Sequence, residues 1–232
     1  YGVLYAGLIS DILCFIIAIF IMRSEYKKLT LNDGELSLSD EHEDVSYNGK
    51  RIVITISREY GSGGRFTGKL IAEKLGIPFY DKDLITLSAE KSGLSEAYVL
   101  KNEQTKSVSY ENNNDDRLFI AEKEVISKLA ENSCVIVGRC ADYILKDDLN
   151  VFKVFLYSDL NSEVERAINY YGLSPENTLK EINRINKERA KHYKFYTNKN
   201  WKDFSNYDCA FNVDKYGVEK TASNIIDIIK GL

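Results

Sequence analysis

Apolar residues in this chain occur in one long run near the start and then in short runs separated by helix-spaced stripes. The long run, Val3 to Met22, spans 20 residues broken only by Gly7, Ser10 and Asp11, enough to cross a bilayer. Its 12 Val, Leu, Ile and Phe residues each favour insertion by roughly 0.3–0.6 kcal/mol, against about 2.5–3.5 kcal/mol for a central Asp11. A buried core helix would show a polar stripe, and a signal peptide a basic start and a small-residue cleavage site; the run has neither. The pattern predicts a transmembrane helix over 3–22. Arg23, Lys27 and Lys28 follow it, so the positive-inside rule places the rest of the chain in the cytoplasm. The first residue is Tyr1 rather than Met, and Asp11 in lipid would seek a partner on another helix, so transmembrane helices upstream are a further expectation. After this segment and its basic flank (1–28), residues 29–50 carry Asp33, Glu35, Asp40, Glu41, Glu43 and Asp44 among few apolar positions. They read as a solvated acidic linker.

From Arg51 to Leu232 the pattern changes to that of a folded domain. Ile52–Ser57 is a short β-branched run suited to a buried parallel strand. A glycine-rich turn leads into a helical stretch over Arg65–Leu75, which Gly76 can close. The strand-like Ile77–Asp81 precedes a helix over Lys82–Ser92, and Leu94–Gln104 reads as another short helix. Thr105–Asp116 is polar and asparagine-rich and reads as a loop. Leu118, Phe119, Val125, Ile126 and Leu129 repeat at helical spacing and predict an amphipathic helix to about Asn132. Cys134–Gly138 and Val151–Tyr157 are further strands, with a helix over Leu160–Tyr171. Ser174-Pro175 forms an N-cap and first-turn pair for a long charged helix to about Tyr196. Tyr207–Val213 is the last strand and Val218–Lys230 the last helix. Strands alternating with helices predict an α/β fold, a parallel sheet covered on both faces in three αβα layers.

Composition narrows the function. The net charge of −4 excludes the strongly basic surface that nucleic-acid binding requires. Cys14, Cys134, Cys140 and Cys209 form no C-x-x-C pair, and His42 and His192 lie far from them in sequence. No thiolate metal site is expected.

The most informative segment is the strand–turn–helix unit IVITISREYGSGGRFTGKL. Gly61, Gly63 and Gly64 let the backbone turn tightly and aim its N–H groups at an anion, and the following helix adds the positive end of its dipole. Arg65 falls in the first helical turn, where a cation is unfavourable by about 0.3–1 kcal/mol unless an anion lies there. Phosphate binding is the reading favoured over a glycine turn that only packs helix on strand.

The run ITISREYGSGGRFTGKLIAEKLGIPFYDKDLI resembles the opening of the cytidylate kinase-like family, P-loop nucleoside monophosphate kinases. VIVGRCADYIL, INKERAKHYKFYT and SNYDCAFNV resemble later blocks in the same order, so the likeness covers nearly all of 51–232. It implies a P-loop NTPase-like fold with a helical lid, ATP and Mg²⁺ as donor and cofactor, and CMP or a similar acceptor. It places the donor phosphates on Gly61, Ser62, Gly63, Gly64, Arg65 and Thr67. One departure stands out. A full P-loop ends in Gly-Lys-Ser/Thr, with lysine on the β/γ-phosphates and the hydroxyl on Mg²⁺; here Gly64 stands at the lysine position and Arg65 at the hydroxyl position. Arg65 is the candidate to reach back for the lysine, and Thr67 or Ser62 to approach the metal, whose ligands are left unassigned.

On the acceptor side the resemblance implies Tyr80, Asp81 and Lys82, with Arg139 gripping the acceptor phosphate bidentately, a geometry guanidinium suits. Ordinary cytidylate kinases have an aspartate directly after that arginine; this chain has Cys140, and Asp142 two positions later. The lid region carries Arg184, Lys187, Arg189 and Lys191, whose arginines the family closes over the phosphates. A basic face of this kind is equally that of a solvated helix, with Glu181 and Glu188 as local partners. Asn186 stands where the family suggests an acidic residue. The combined expectation is a membrane-tethered kinase moving the γ-phosphoryl of ATP to a CMP-like acceptor, with Arg65, Arg139, Arg184 and Arg189 as catalytic cations. A nucleotide-binding sensor without turnover, or a kinase for another small molecule, are the alternatives.

Overall fold

The structure, a computed structural model, describes residues 50–91 and 113–231. Five strands form one wholly parallel sheet: β1 (Val53–Arg58), β2 (Phe79–Tyr80), β3 (Cys134–Val137), β4 (Val151–Tyr157) and β5 (Cys209–Asn212). Their order is β2-β3-β1-β4-β5, with Val53 level with Cys134 on one side and Val151 on the other. The helices are α1 (Gly64–Leu75), α2 (Lys82–Lys91), α3 (Asn113–Leu129), the short α4 (Ala141–Ile144), α5 (Leu160–Tyr171), α6 (Pro175–Thr197) and α7 (Val213–Lys230). The arrangement is an α/β fold in which helices accompany a parallel sheet.

Side-chain alternation along the strands explains the layers. Ile54, Ile56, Phe152, Val154, Leu156, Val135 and Val137 share one aliphatic core with Ile71 and Ala72 of α1 and Ala222, Ile225 and Ile226 of α7. The opposite face is aromatic and polar: Phe155 packs with Tyr193 of α6, Trp201 and Tyr207, while Thr55 and Ser57 are buried beside it. The sheet therefore has a dry, hydrocarbon back and a hydrogen-bonding front. Ser57 Oγ donates to Asp142 Oδ1 at 3.4 Å and Tyr193 OH to Asp142 Oδ2 at 2.6 Å, which pins α6 across that front.

Most expected elements are present with small shifts. Ser174 is the N-cap of α6 and Pro175 its first residue. The polar stretch expected as a loop to Asp116 turns helical at Asn113; Asp116 sits in the first turn, where the helix dipole favours a carboxylate. The last helix starts at Val213 instead of Val218, with a break at Gly217 (φ 73°) that separates its first turn from the regular part. The short helix expected over 94–104 lies outside the described residues.

The membrane-anchored architecture is corrected. Among the described residues no helix is long and apolar enough to cross a membrane. The longest of them, α6, has 23 residues, but Lys, Glu and Arg recur along it, each strongly unfavourable at a bilayer centre. The segment 3–22 lies outside the described residues.

Candidate functional site

Two clefts open at the C-terminal ends of the strands, where α/β sheets gather ligands. The first, about 200 Å³, is lined by Arg58, Tyr60, Gly61, Gly63, Gly64, Arg65, Asp81, Lys82, Tyr171 and Arg189 among others. Its floor is the turn between β1 and α1. Gly61 has φ 79°, and a Cβ there would lie 2.6 Å from the Glu163 carbonyl oxygen, so only glycine fits where the turn meets α5. Arg166 holds the turn from behind, donating from Nη1 to the Gly61 carbonyl (3.1 Å) and to Ser158 Oγ (2.7 Å), and from Nη2 to Asp214 Oδ1 (2.6 Å). Gly63 caps α1 without a side-chain hydrogen bond, and the first turn contains no acidic residue. The orphan N–H groups of that turn face a ligand space with nothing on their own helix to accept them.

The expected donor-side residues divide. Gly61, Gly63, Gly64 and Arg65 line the cleft. Ser62 and Thr67 are fully buried, and their hydroxyls donate to the carbonyls of Glu59 (2.8 Å) and Gly63 (3.1 Å). Both brace the turn instead of lining the cleft. Arg65 reaches sideways, its Nε 2.7 Å from Asp81 Oδ2, while Asp81 Oδ1 accepts from the amides of Asp83 and Leu84 at the start of α2. Arg65 and Asp81 thus clasp α1 to α2. Lys82 lines the same cleft; Tyr80 is buried beneath it, and burial pushes its phenol up to about 12.

The second cleft, about 440 Å³, lies between α3 and α6 and is lined by Asp116, Phe119, Glu122, Arg139, Glu188, Lys191, His192, Phe195 and Tyr196 among others. Arg139 adopts a left-handed backbone (φ 55°), uncommon for a residue with a Cβ. That turn directs its side chain to Glu122: Nε lies 3.1 Å from Oε1. Nη2 donates to Thr86 Oγ1 (2.9 Å), which donates to the same carboxylate oxygen (2.8 Å). Phe119 and Tyr196 stack with centroids 3.7 Å apart and form an aromatic wall. Asp142 is not part of this lining; it is the buried pin of α6, and burial raises its carboxyl pKa.

The lid arginines separate sharply. Arg189 lines the first cleft, its Nη1 donating to the Arg58 carbonyl (2.9 Å) and its guanidinium over the Tyr60 ring at 5.6 Å. Arg184 is paired with Glu181 and Glu188, both at 2.5 Å, and lines neither cleft. Asn186 has a role that the sequence did not disclose: its Oδ1 accepts from the Tyr60 amide at 2.8 Å, tying α6 to the glycine turn.

Three groups escaped sequence reasoning. Arg58 lies one residue beyond the strand expected over Ile52–Ser57 and inside the observed β1. Glu122 sat in plain view, a carboxylate on the apolar stripe between Phe119 and Val125, a position that calls for a buried cation. Glu163, buried behind the glycine turn, has its carboxyl pushed up to about 8 by burial and by the negative charge of Glu59, which is ion-paired to Lys202. Among the described residues no cluster of three or more His, Cys, Asp or Glu side chains could hold a metal by itself. Mg²⁺ commonly takes only one or two carboxylates and is otherwise held by phosphates and water; Glu59 and Asp83 line the first cleft and are of that type.

A family model described as the cytidylate kinase-like family matches residues 53–215, narrower than the 51–232 expected and clear of the membrane segment expected at 3–22. A protein of Methanobrevibacter smithii named cytidylate kinase is 26% identical over 180 residues, covering 77% of this chain and 99% of that protein. The crystal structure of an uncharacterized protein from Eubacterium ventriosum superposes with a TM-score of 0.64 at 29% identity, covering 78% of this chain and all of that one. A shikimate kinase from Bacteroides thetaiotaomicron, 16% identical, gives a TM-score of 0.49 over 77% of this chain and 98% of its own.

Proposed function

The chain belongs to the cytidylate kinase-like family, and from that premise we propose that it transfers the γ-phosphoryl group of ATP to CMP or a similar nucleoside monophosphate. The observation that carries this reading is the first cleft, where Arg58, Arg65, Arg189 and Lys82 converge on glycines and an uncapped helix start. Such a cradle suits a polyphosphate. The glycine turn holds the donor phosphates, and Arg189, carried by α6 in the manner of a lid, meets the charge that develops during transfer. Phosphoryl transfer needs little more, because positioning and charge stabilisation supply most of the catalysis. Mg²⁺, when bound with the nucleotide, screens the phosphates and polarises the transferred group, with Glu59 or Asp83 as the carboxylates available to it.

The second cleft suits the acceptor. Arg139 presents a planar donor fork for a phosphate, and Phe119 and Tyr196 offer an apolar face against which a flat base can lie. The acceptor phosphate is the nucleophile, so no general base is assigned. Arg184 has no part in this scheme, because both flanking glutamates occupy it.

A coupled ADP-release assay on the full chain, run across nucleoside monophosphates and small hydroxylated metabolites, tests the reading. CMP or a close pyrimidine relative should give the highest kcat/KM. The absence of lysine at Gly64 favours one rival, a nucleotide sensor without turnover. ATP-dependent thermal stabilisation with no ADP release from any acceptor would select it.

A further inference from the structure

We infer that Arg58, at the C-terminal end of β1, supplies the cation for the donor polyphosphate that a P-loop lysine would otherwise provide. This rests on the proposed function and adds the residue that replaces the missing group.

The packing around Arg58 is built for it. Its stem crosses the start of α1 at Gly64, where an added Cβ would fall 2.6 Å from Arg58 Cβ and 2.7 Å from Cγ. Its head lies over Gly138 at the end of β3, where a Cβ would collide with Nη1. Two glycines about 70 positions apart in the chain therefore clear the path of one side chain across the mouths of two adjacent strands. The carbonyl of Arg58 is fixed by Arg189, and its side chain lines the glycine-turn cleft. The guanidinium is thus preorganised without being consumed.

Other arginines bordering these clefts are already engaged. Arg65 is paired with Asp81 and Arg139 with Glu122, while Arg189 is bonded to the Arg58 carbonyl and lies over the Tyr60 ring. Among the described residues the Arg58 guanidinium makes no hydrogen bond or ion pair. Burial and the neighbouring Arg189 push its pKa down to about 9, with Asp81 acting the other way, so it remains a cation at neutral pH. The Arg58 side chain is part-buried and the neighbouring carboxylate, Asp81, is bonded to Arg65, so an anionic ligand would complete the guanidinium. The chemical class that fits is a polyphosphate, reaching from the turn amides to the guanidinium.

Titration calorimetry on the full chain, wild type against Arg58→Gln and Arg58→Lys, with ATP, pyrophosphate and CMP as separate ligands, tests this. Arg58→Gln should weaken ATP and pyrophosphate about 10–100-fold and lower kcat about 10²–10³-fold, leaving CMP affinity unchanged. Arg58→Lys should recover part of both. Gly138→Ala keeps the charge but displaces it, with added backbone strain at a φ of 90°, and should reproduce the loss of ATP and pyrophosphate affinity even if Arg58→Gln folds poorly. Wild-type affinity and turnover in folded Arg58→Gln, or a loss confined to CMP, overturns the inference and leaves the proposed function standing. If the wild type itself ignores ATP and pyrophosphate, the proposed function falls first and this inference with it.

Discussion

Arg58 and Arg139 stand at the ends of neighbouring parallel strands, and the fold treats them in opposite ways. Arg139 is bent by a left-handed backbone onto the buried Glu122 and braced by Thr86. Arg58 is held by the shape of its path between Gly64 and Gly138, and among the described residues no carboxylate is hydrogen-bonded to its guanidinium. The first is stable before any ligand arrives and can share its remaining donors with a phosphate. The second is electrostatically incomplete until an anion binds. A preorganised cation can therefore be made by pairing or by packing, and only packing keeps its full charge for the ligand.

The contrast predicts stability changes of opposite sign. Arg139→Met removes the cation 3.1 Å from the buried Glu122 carboxylate, which is 1% exposed, and should lower unfolding stability by about 3 kcal/mol in a denaturant titration. Arg58→Met removes a charge with no protein partner and should leave the ligand-free chain as stable as wild type or more so. The comparison breaks if both substitutions destabilise equally.

Gly61→Ala should come next in effect. It forces a left-handed conformation on a residue with a Cβ and drives that Cβ against the Glu163 carbonyl. A loss of roughly 1–3 kcal/mol should accompany weaker pyrophosphate binding, whereas CMP binding at the other cleft should be spared.

The glycine-turn side also carries a pH dependence. Glu163 holds its proton in the folded state up to about 8, against an ordinary 4.5. Between those values the unfolded chain has released a proton that the folded chain retains. This group's contribution is therefore complete below 4.5 and is lost as pH rises toward 8. Glu163→Gln should flatten that decline in thermal melts across the window. Asp148 and Asp214, whose carboxyls are lowered chiefly by their hydrogen bonds to Arg51 and Ser158 despite burial, act in the opposite sense, losing stability as the medium is acidified.

The smallest effect belongs to Arg184. Surface pairs of this kind contribute little, and Arg184→Ala should change kcat/KM less than twofold. Arg189→Ala, by contrast, should lower kcat markedly, because Arg189 faces the first cleft.

Much of the fold was legible because periodicity is a local signal. Val151–Tyr157 and Leu160–Tyr171 match the observed elements residue for residue, since each is bounded by its own change of pattern. The glycine turn was legible for the same reason. What was hidden depends on partners remote in sequence. Arg58 follows the expected strand with no local signal of its role, because Gly138 beneath its guanidinium is remote in sequence. Thr67 and Ser62 carried the right hydroxyls for a metal, yet the helix start and the turn before it fold them onto nearby backbone carbonyls. Arg184 and Arg189 differ by five positions on α6, hence by about 140° beyond one full rotation, and only the packing of that helix decides which one meets the cleft. The membrane-tethered architecture rested on a run outside the described residues, and the described helices offer no replacement for it.

The central claim is that the turn after β1, completed by Arg58, grips a polyphosphate. A crystal structure of the full chain with a non-hydrolysable ATP analogue and Mg²⁺ tests it most directly. The account predicts the β- and γ-phosphates over Gly61–Arg65, with Arg58 within hydrogen-bonding distance of their oxygens. Phosphates seated in the α3–α6 cleft, or an Arg58 turned away from a nucleotide bound at the turn, would contradict it.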